Sequence, residues 1–194
     1  MVQGIAILGL NGAGKSTLAH ALAKRIGYYE MDVEDYYFPE QKTSRRWALE
    51  NEKIIETESL GEIPFSNPRT KSEVQGTIMQ DIERNPQFII SGVRMNWSEE
   101  ILAKLEVAFV VKTPLELRIK RIQLREEKRF GNRVLTGGDM YEQQLEFRNV
   151  VRNRDERMIE ESVKRLKCPI IVLDGTADIT DNLNKIIGAI DNLS

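Results

Sequence analysis

One cysteine, Cys168, and one histidine, His20, stand in 194 residues. A lone cysteine excludes an internal disulfide framework and a cysteine-built zinc site, and it suits a reducing compartment. Cys168 also lacks the neighbours that would make a thiolate reactive. The lone histidine has no partner at triad or metal spacing, so packing or a surface place is its expected role. No apolar run approaches the roughly 20 residues that cross a bilayer, and the chain enters a strand without a basic, signal-like start. No charge of one sign dominates: 28 basic against 30 acidic residues leave a net −2. No global field therefore draws the chain to nucleic acid or an anionic membrane, and any anion site must be local. The expectation is a soluble, unexported, cytoplasmic protein of one α/β domain spanning 1–194.

Short apolar runs separated by helical periodicity are what the chain does contain. Gln3–Gly9, Phe88–Ile90, Val107–Val111 and Pro169–Leu173 read as buried parallel strands, with Tyr28–Met31 a weaker fifth. The first should be central. Leu18, Leu22 and Ile26 recur at helical spacing before Gly27, a stop signal. Thr113-Pro114-Leu115-Glu116 carries a capping-box pattern with proline at the first helical position, and Asp139-Met140-Tyr141-Glu142 looks similar. Leu183, Ile186, Ile187 and Ile190 form an apolar face expected to close the sheet edge. Residues 39–70 are polar, carry Pro64 and Pro68, and read as an inserted flap.

Gly9-Leu10-Asn11-Gly12-Ala13-Gly14-Lys15-Ser16 matches GxxxxGK[ST] between a buried strand and a helix start. Gly9, Asn11, Gly12, Ala13 and Gly14 would wrap phosphate oxygens with inward N–H groups, and the helix N-terminus adds partial positive charge. Lys15 would reach the β- and γ-phosphates of ATP. Ser16 would ligate Mg²⁺ through its hydroxyl, and Thr17 would support the loop or the α-phosphate.

Downstream, Arg118, Arg121, Arg125 and Arg129 fall on one ridge beside Leu115, Ile119 and Ile122. Guanidinium groups on such a ridge suit the charge spread over a transferring phosphoryl group, with Arg121 and Arg125 as catalytic candidates. A solvated face paired with Glu126 and Glu127 is the other reading. Gly131 and Gly137-Gly138 bracket a short stretch where a lid, about 118–139, could hinge. Residues 112–167 hold 15 basic and 10 acidic residues, against 13 and 20 elsewhere. That surplus favours a bound polyanion at the lid but is too small for a nucleic-acid groove. Trp47, with Arg45 and Arg46, could clamp an acceptor, or simply pack.

A phosphate loop does not by itself separate kinases from other nucleotide-binding proteins. No NKxD guanine signature is present, the chain is too short for an AAA module with a helical lid domain, and Ser91 follows Phe88-Ile89-Ile90 where an acid usually ends the third strand. The remaining residues resemble the nucleoside-monophosphate and small-molecule kinase superfamily, which includes adenylate, shikimate and uridine kinases. That resemblance implies a three-layer α/β/α P-loop fold with a five-stranded parallel sheet in the order 2-3-1-4-5, a small acceptor flap and an Arg-rich lid. Met31-Asp32-Val33-Glu34-Asp35-Tyr36-Tyr37 is similar to the acidic segment after the second strand, implying Asp35 as base and Asp32 as magnesium support. Capping of a turn is the plainer role for either acid. Ser91-Gly92-Val93-Arg94 is similar to a D-G-x-P-R stretch, implying that Arg94 binds acceptor or transferred phosphate. Ile171–Thr176 resembles the adenine-side loop, implying that Gly175 and Thr176 lie along the base. Phe130–Arg133 and Gly137–Glu142 look like bacterial ATP-binding proteins described only as adenylate-kinase-related.

Two functions follow. The first is an ATP·Mg²⁺ phosphotransferase acting on a small-molecule acceptor such as a nucleoside, nucleotide or hydroxyl metabolite. The second is an ATP sensor or slow ATPase working through a protein partner.

Overall fold

The structure, a computed structural model, describes residues 2–51 and 63–193. Five strands, β1 (Gly4–Leu8), β2 (Tyr29–Asp32), β3 (Phe88–Gly92), β4 (Val107–Lys112) and β5 (Ile170–Asp174), make one parallel sheet in the order 2-3-1-4-5. Parallel neighbours need crossovers, and the helices supply them on both faces. β1 is central, with Gly4 opposite Phe88 on one side and Ile5 opposite Val107 on the other.

Strand alternation divides the core. Ile5, Ile7, Ile89, Val107 and Phe109 face α1 (Lys15–Ile26) and α9 (Ile179–Leu193), meeting Leu18, Leu22, Ile186 and Ile190. Ala6, Leu8, Ile90, Ala108 and Val110 face the other way, toward Val74, Ile78 and Ile82 of α4 (Lys71–Arg84) and Ile101 of α5 (Glu99–Leu102). Both faces being covered explains why the strands read as unbroken apolar runs. Helix α9 packs on α1 and the α1-side core rather than over the outer edge, so Val172 on β5 stays 59% exposed.

Helix boundaries differ from expectation at three places. Helix α6 (Leu115–Phe130) has Pro114 as its N-cap, not its first residue, and Thr113 does not cap it. The Thr113 hydroxyl donates instead to Ala13 O at 3.0 Å, drawn into the phosphate loop. Helix α7 (Tyr141–Arg152) starts after Met140 without a side-chain cap, because Asp139 accepts from Arg133 at 2.8 Å. The capping box is found at Thr70 and Glu73, opening α4, where the expected flap ends.

Residues 39–70 are not irregular throughout. After α2 (Val33–Tyr37), a 3-10 turn (Pro39–Gln41) leads into α3 (Lys42–Glu50), which packs on α6. Residues 52–62, the middle of the expected flap, lie outside the described residues. Beyond them Phe65, at φ 66°, sits edge-on to Phe38 and Phe130 with centroids at 5.2 and 6.4 Å. A positive φ is costly for an aromatic residue, and these contacts hold it there. After α7, α8 (Arg157–Arg165) returns the chain to β5. Among the described residues no helix is long and apolar enough to cross a membrane.

Leu22 is fully buried between α1 and the sheet. Leu22→Ala is expected to lower the unfolding free energy by about 2–5 kcal/mol in a urea titration. Val172→Thr, at an exposed position, should change it by less than about 0.5 kcal/mol.

Candidate active site

β1 delivers the chain to the carboxyl edge of the sheet, at the point where neighbouring strands leave in opposite directions. There the loop Gly9–Gly14 turns into α1. Gly12 and Gly14 take φ of 79° and 98°, which L side chains rarely adopt. Gly12 has a second constraint: a Cβ there would lie 2.4 Å from Arg118 O, so the loop is pressed against α6.

The loop's carbonyls are tied down behind it. Asn11 O accepts from Arg118 Nη1 at 3.4 Å, and Ala13 O accepts from Thr113 Oγ1 at 3.0 Å and from Arg121 Nη1 at 3.4 Å. Leu10 O and Gly14 O accept from the backbone N–H groups of Ala13 and Leu18. Across a trans peptide the N–H points opposite to the C=O. Fixing the carbonyls of Asn11 and Ala13 rearward therefore turns the N–H groups of Gly12 and Gly14 forward. Gly14, as N-cap of α1, offers no side chain to the open N–H groups of that helix, and a set of unclaimed amides at a helix head is an anion site.

These amides open onto a cleft of about 530 Å³ whose walls carry Lys15, Ser16, Arg45, Arg121, Arg125, Lys128 and Arg129. Burial pushes the Lys15 ammonium below its usual range, Asp32 and Glu34 oppose that, and Arg125 and Arg45 reinforce it. Burial alone would also lower Arg125, but Glu126 and Glu34 more than offset it. Arg125 donates to Glu126 at 2.7 Å.

Opposite the loop, the acidic segment is organised by an arginine from α3. Arg45 is 8% exposed and donates to Asp32 Oδ2 and Asp35 Oδ1, both at 2.6 Å, and to Glu34 Oε2. Asp32 also caps α2, its Oδ1 accepting from Glu34 N at 3.0 Å. Burial disfavours the Glu34 carboxylate, yet Arg45, Arg125, Lys15 and Arg129 outweigh it and hold the carboxyl down at about 2. Asp35 goes the other way, raised by burial against the pull of Arg45. Arg45 thus binds acids rather than stacking beside Trp47.

The arginine ridge does not present four guanidinium groups. Arg118 is 4% exposed and donates to Thr113 O and Asn11 O. Arg129, 1% exposed, donates to Glu126, Gln41 and Ser44 and lies over the Phe65 and Phe130 rings at 5.1 and 4.7 Å. Both are structural clasps, although Arg129 also reaches the cleft wall, where Arg121 and Arg125 lie beside it. Lys128 joins them while donating to Ala48 O of α3 at 2.6 Å. Gly138 is a packing glycine rather than a free hinge, since a Cβ would meet Arg133 O at 2.2 Å.

Other expected residues disperse. Gly175 lines the cleft, whereas the Thr176 N–H and hydroxyl both donate to Asp174 Oδ1, at 2.8 and 2.7 Å. Arg94 is exposed just past β3. The Asn11 side chain points back to Arg154, accepting from Nη1 at 2.5 Å, and burial with the charges of Arg94 and Arg118 lowers the Arg154 guanidinium. Thr17 is exposed at the cleft mouth. Ser91 is fully buried with no hydrogen-bond partner for its Oγ among the described residues, and it stands opposite Asp32 in the sheet. His20 does have a partner: its Nδ1 lies 2.7 Å from Glu30 Oε2 on β2, a helix-to-strand contact that helical spacing could not reveal. Burial raises the Cys168 thiol, in keeping with an inert side chain.

Residues 5–135 match a protein-family model described as "AAA domain". This corrects the exclusion of an AAA relationship on length: the match runs from β1 to the turn after α6 and needs no further helical domain. "Uncharacterized protein YqaC" of Bacillus subtilis (strain 168) is 26% identical over 195 residues, covering 96% of this chain and 97% of that one. Shikimate kinase from Acinetobacter baumannii, solved with shikimate, superposes with a TM-score of 0.52 at 21% identity over 99% of this chain and 94% of its own. A gluconokinase from Sinorhizobium meliloti 1021 gives 0.54 at 11% identity, over 99% and 93%. Deoxyadenosine kinase from M.mycoides gives 0.51 at 16% identity, over 98% and 100%. The fold is that of the P-loop kinases.

Glu34 gives the site an acid signature. Its carboxyl falls from an ordinary 4.5 to about 2 in the folded chain, so its stabilisation is full above 4.5 and is lost as pH drops toward 2. Glu34→Gln should melt below the wild type at neutral pH, and the gap should close across that window when melting is followed by circular dichroism.

Proposed function

The chain belongs to the family whose model is described as "AAA domain", and on that premise we propose that it is an ATP-dependent phosphotransferase acting on a small acceptor. The observation that carries this reading is the convergence, in one cleft, of forward-turned loop amides, Lys15, Arg121 and Arg125, with Arg45 on the same wall binding the carboxylates at the end of β2. The triphosphate would lie in Gly9–Ser16 with Lys15 on its β- and γ-phosphates, and Gly175 along the adenine. Thr176 and Thr17 would act as supports rather than ligands. Arg121 and Arg125 would stabilise charge on the equatorial oxygens of the moving phosphoryl group. The acceptor oxygen attacks the γ-phosphorus as the bond to the ADP oxygen breaks, and the acceptor proton passes to Asp35. Arg94, with residues 39–70 as flap, would meet the acceptor, and residues 118–139 would exclude water as a lid. The surrounding assignments, one domain over 1–194 and a cytoplasmic place, complete the proposal.

Ser16 and Asp32 offer hard oxygen donors suited to Mg²⁺, and Ser91 adds an unpartnered oxygen behind Asp32. Among the described residues no group of three or more His, Cys, Asp or Glu could hold a metal. Two protein oxygens would leave phosphate oxygens and water to complete the shell of a Mg²⁺ ion, and Asp32 would first have to release Arg45 from its Oδ2. When bound, the ion would neutralise phosphate charge.

Arg45 complicates catalysis, because it holds Asp35 and Asp32 together. Asp35 can take a proton from an acceptor only after that pair opens, so acceptor entry under α3 and base release belong to one movement. The same knot supports a second reading, a nucleotide sensor without an acceptor, in which release of Arg45 moves α3 toward a partner.

Turnover of ATP with Mg²⁺ against nucleosides, nucleotides and hydroxyl metabolites separates the two. One acceptor should raise turnover well above background, and Lys15→Ala should lose about 10²–10³-fold; a flat panel with retained ATP binding supports the sensor. Asp35→Asn should lower kcat by about 10²–10⁴-fold with ATP affinity nearly intact. Undiminished turnover would remove Asp35 as base.

A further inference from the structure

Asn182, in the first turn of α9, is 4% exposed and lines the cleft together with Gly175, Ala177, Ile179 and Leu124. Its Nδ2 donates to the backbone carbonyl of Asp174 at 2.8 Å. A carbonyl oxygen only accepts, so this bond fixes which arm of the amide is nitrogen and which is oxygen. The remaining arm, Oδ1, is buried and has no hydrogen-bond partner among the described residues. Buried acceptors are rarely left unmet, and one on the wall of a ligand cleft is an acceptor waiting for a ligand's donor.

Resting on the reading that the loop binds a nucleoside triphosphate, we propose that Asn182 is the base-reading residue and selects a 6-aminopurine. The exocyclic amine of adenine donates to Oδ1, while Ala177, Ile179 and Leu124 flank the ring plane with apolar surface. A 6-oxopurine brings an acceptor to the same atom. The amide cannot turn over to greet it, because Nδ2 is committed to Asp174. Selectivity therefore comes from an unpaired acceptor facing another acceptor, the kind of mismatch that discriminates more strongly than a lost methyl contact. Neighbours cover Oδ1 in this structure, so insertion of the base includes parting that cover.

Equilibrium binding of the full chain to ATP, to purine riboside triphosphate, which lacks the 6-substituent, and to inosine triphosphate tests this by calorimetry. Wild type should bind ATP about five- to tenfold tighter than purine riboside triphosphate, and more than about tenfold tighter than inosine triphosphate. In Asn182→Ala the preference for ATP should collapse to within about twofold. A purely structural role would weaken all three nucleotides alike and leave their ratios unchanged, which would overturn the assignment. Equal affinities in the wild type would overturn it without any variant. Failure of the wild type to bind any of the three would instead overturn the nucleotide reading on which it rests.

Discussion

The rearward anchoring of the phosphate loop's carbonyls is the constraint on which the rest of the site depends. Amides can converge on an anion only if the oxygens of the same peptides are satisfied elsewhere, and here α6 and the strand exit before it provide the donors: Thr113, Arg118 and Arg121. This explains why Gly12 must lack a side chain, since the loop can reach those donors only by lying against the Arg118 backbone. It also explains why Thr113 gives up the helix cap that its sequence context suggests. The start of α6 and the Gly9–Gly14 loop are in this sense one object.

Charge balance is the second organising feature. Lys15, Arg45, Arg125 and Arg129 converge on Asp32, Glu34, Asp35 and Glu126, while Arg121 and Lys128 on the same cleft walls leave a positive surplus. A triphosphate seated there would compete with the carboxylates for the cations, and its entry would loosen the ion pairs. Arg45 is the one carried on α3, and α3 is clasped to α6 through Lys128 with Ala48 and Arg129 with Gln41 and Ser44. Phe65 adds an aromatic peg on the same side. Helices α3 and α6 therefore share a packed interface, and a displacement of either one strains the other.

The sheet and the phosphate loop were legible because their signals are local. An unbroken apolar run, a glycine loop and a Lys-Ser at a helix head each lie within a few consecutive residues, and strand order followed from family resemblance. What sequence could not show is pairing across distance. Nothing local in Arg45 distinguishes a guanidinium that chelates Asp32, Glu34 and Asp35 from one that stacks on Trp47. The equal spacing of Arg118, Arg121, Arg125 and Arg129 likewise conceals that the first and last are buried clasps, because burial is decided by Asn11, Gln41 and Phe65 on other elements. His20 found Glu30 for the same reason, and Asn182 carried no motif at all.

A crystal structure of the full chain with a non-hydrolysable ATP analogue and Mg²⁺ tests the account most directly. The account predicts the triphosphate within the Gly9–Ser16 amides, Lys15 on its terminal phosphates, and Arg45 drawn away from Asp32. A triphosphate bound outside the loop, or one seated there with the Arg45 knot intact and Lys15 turned away, would contradict it.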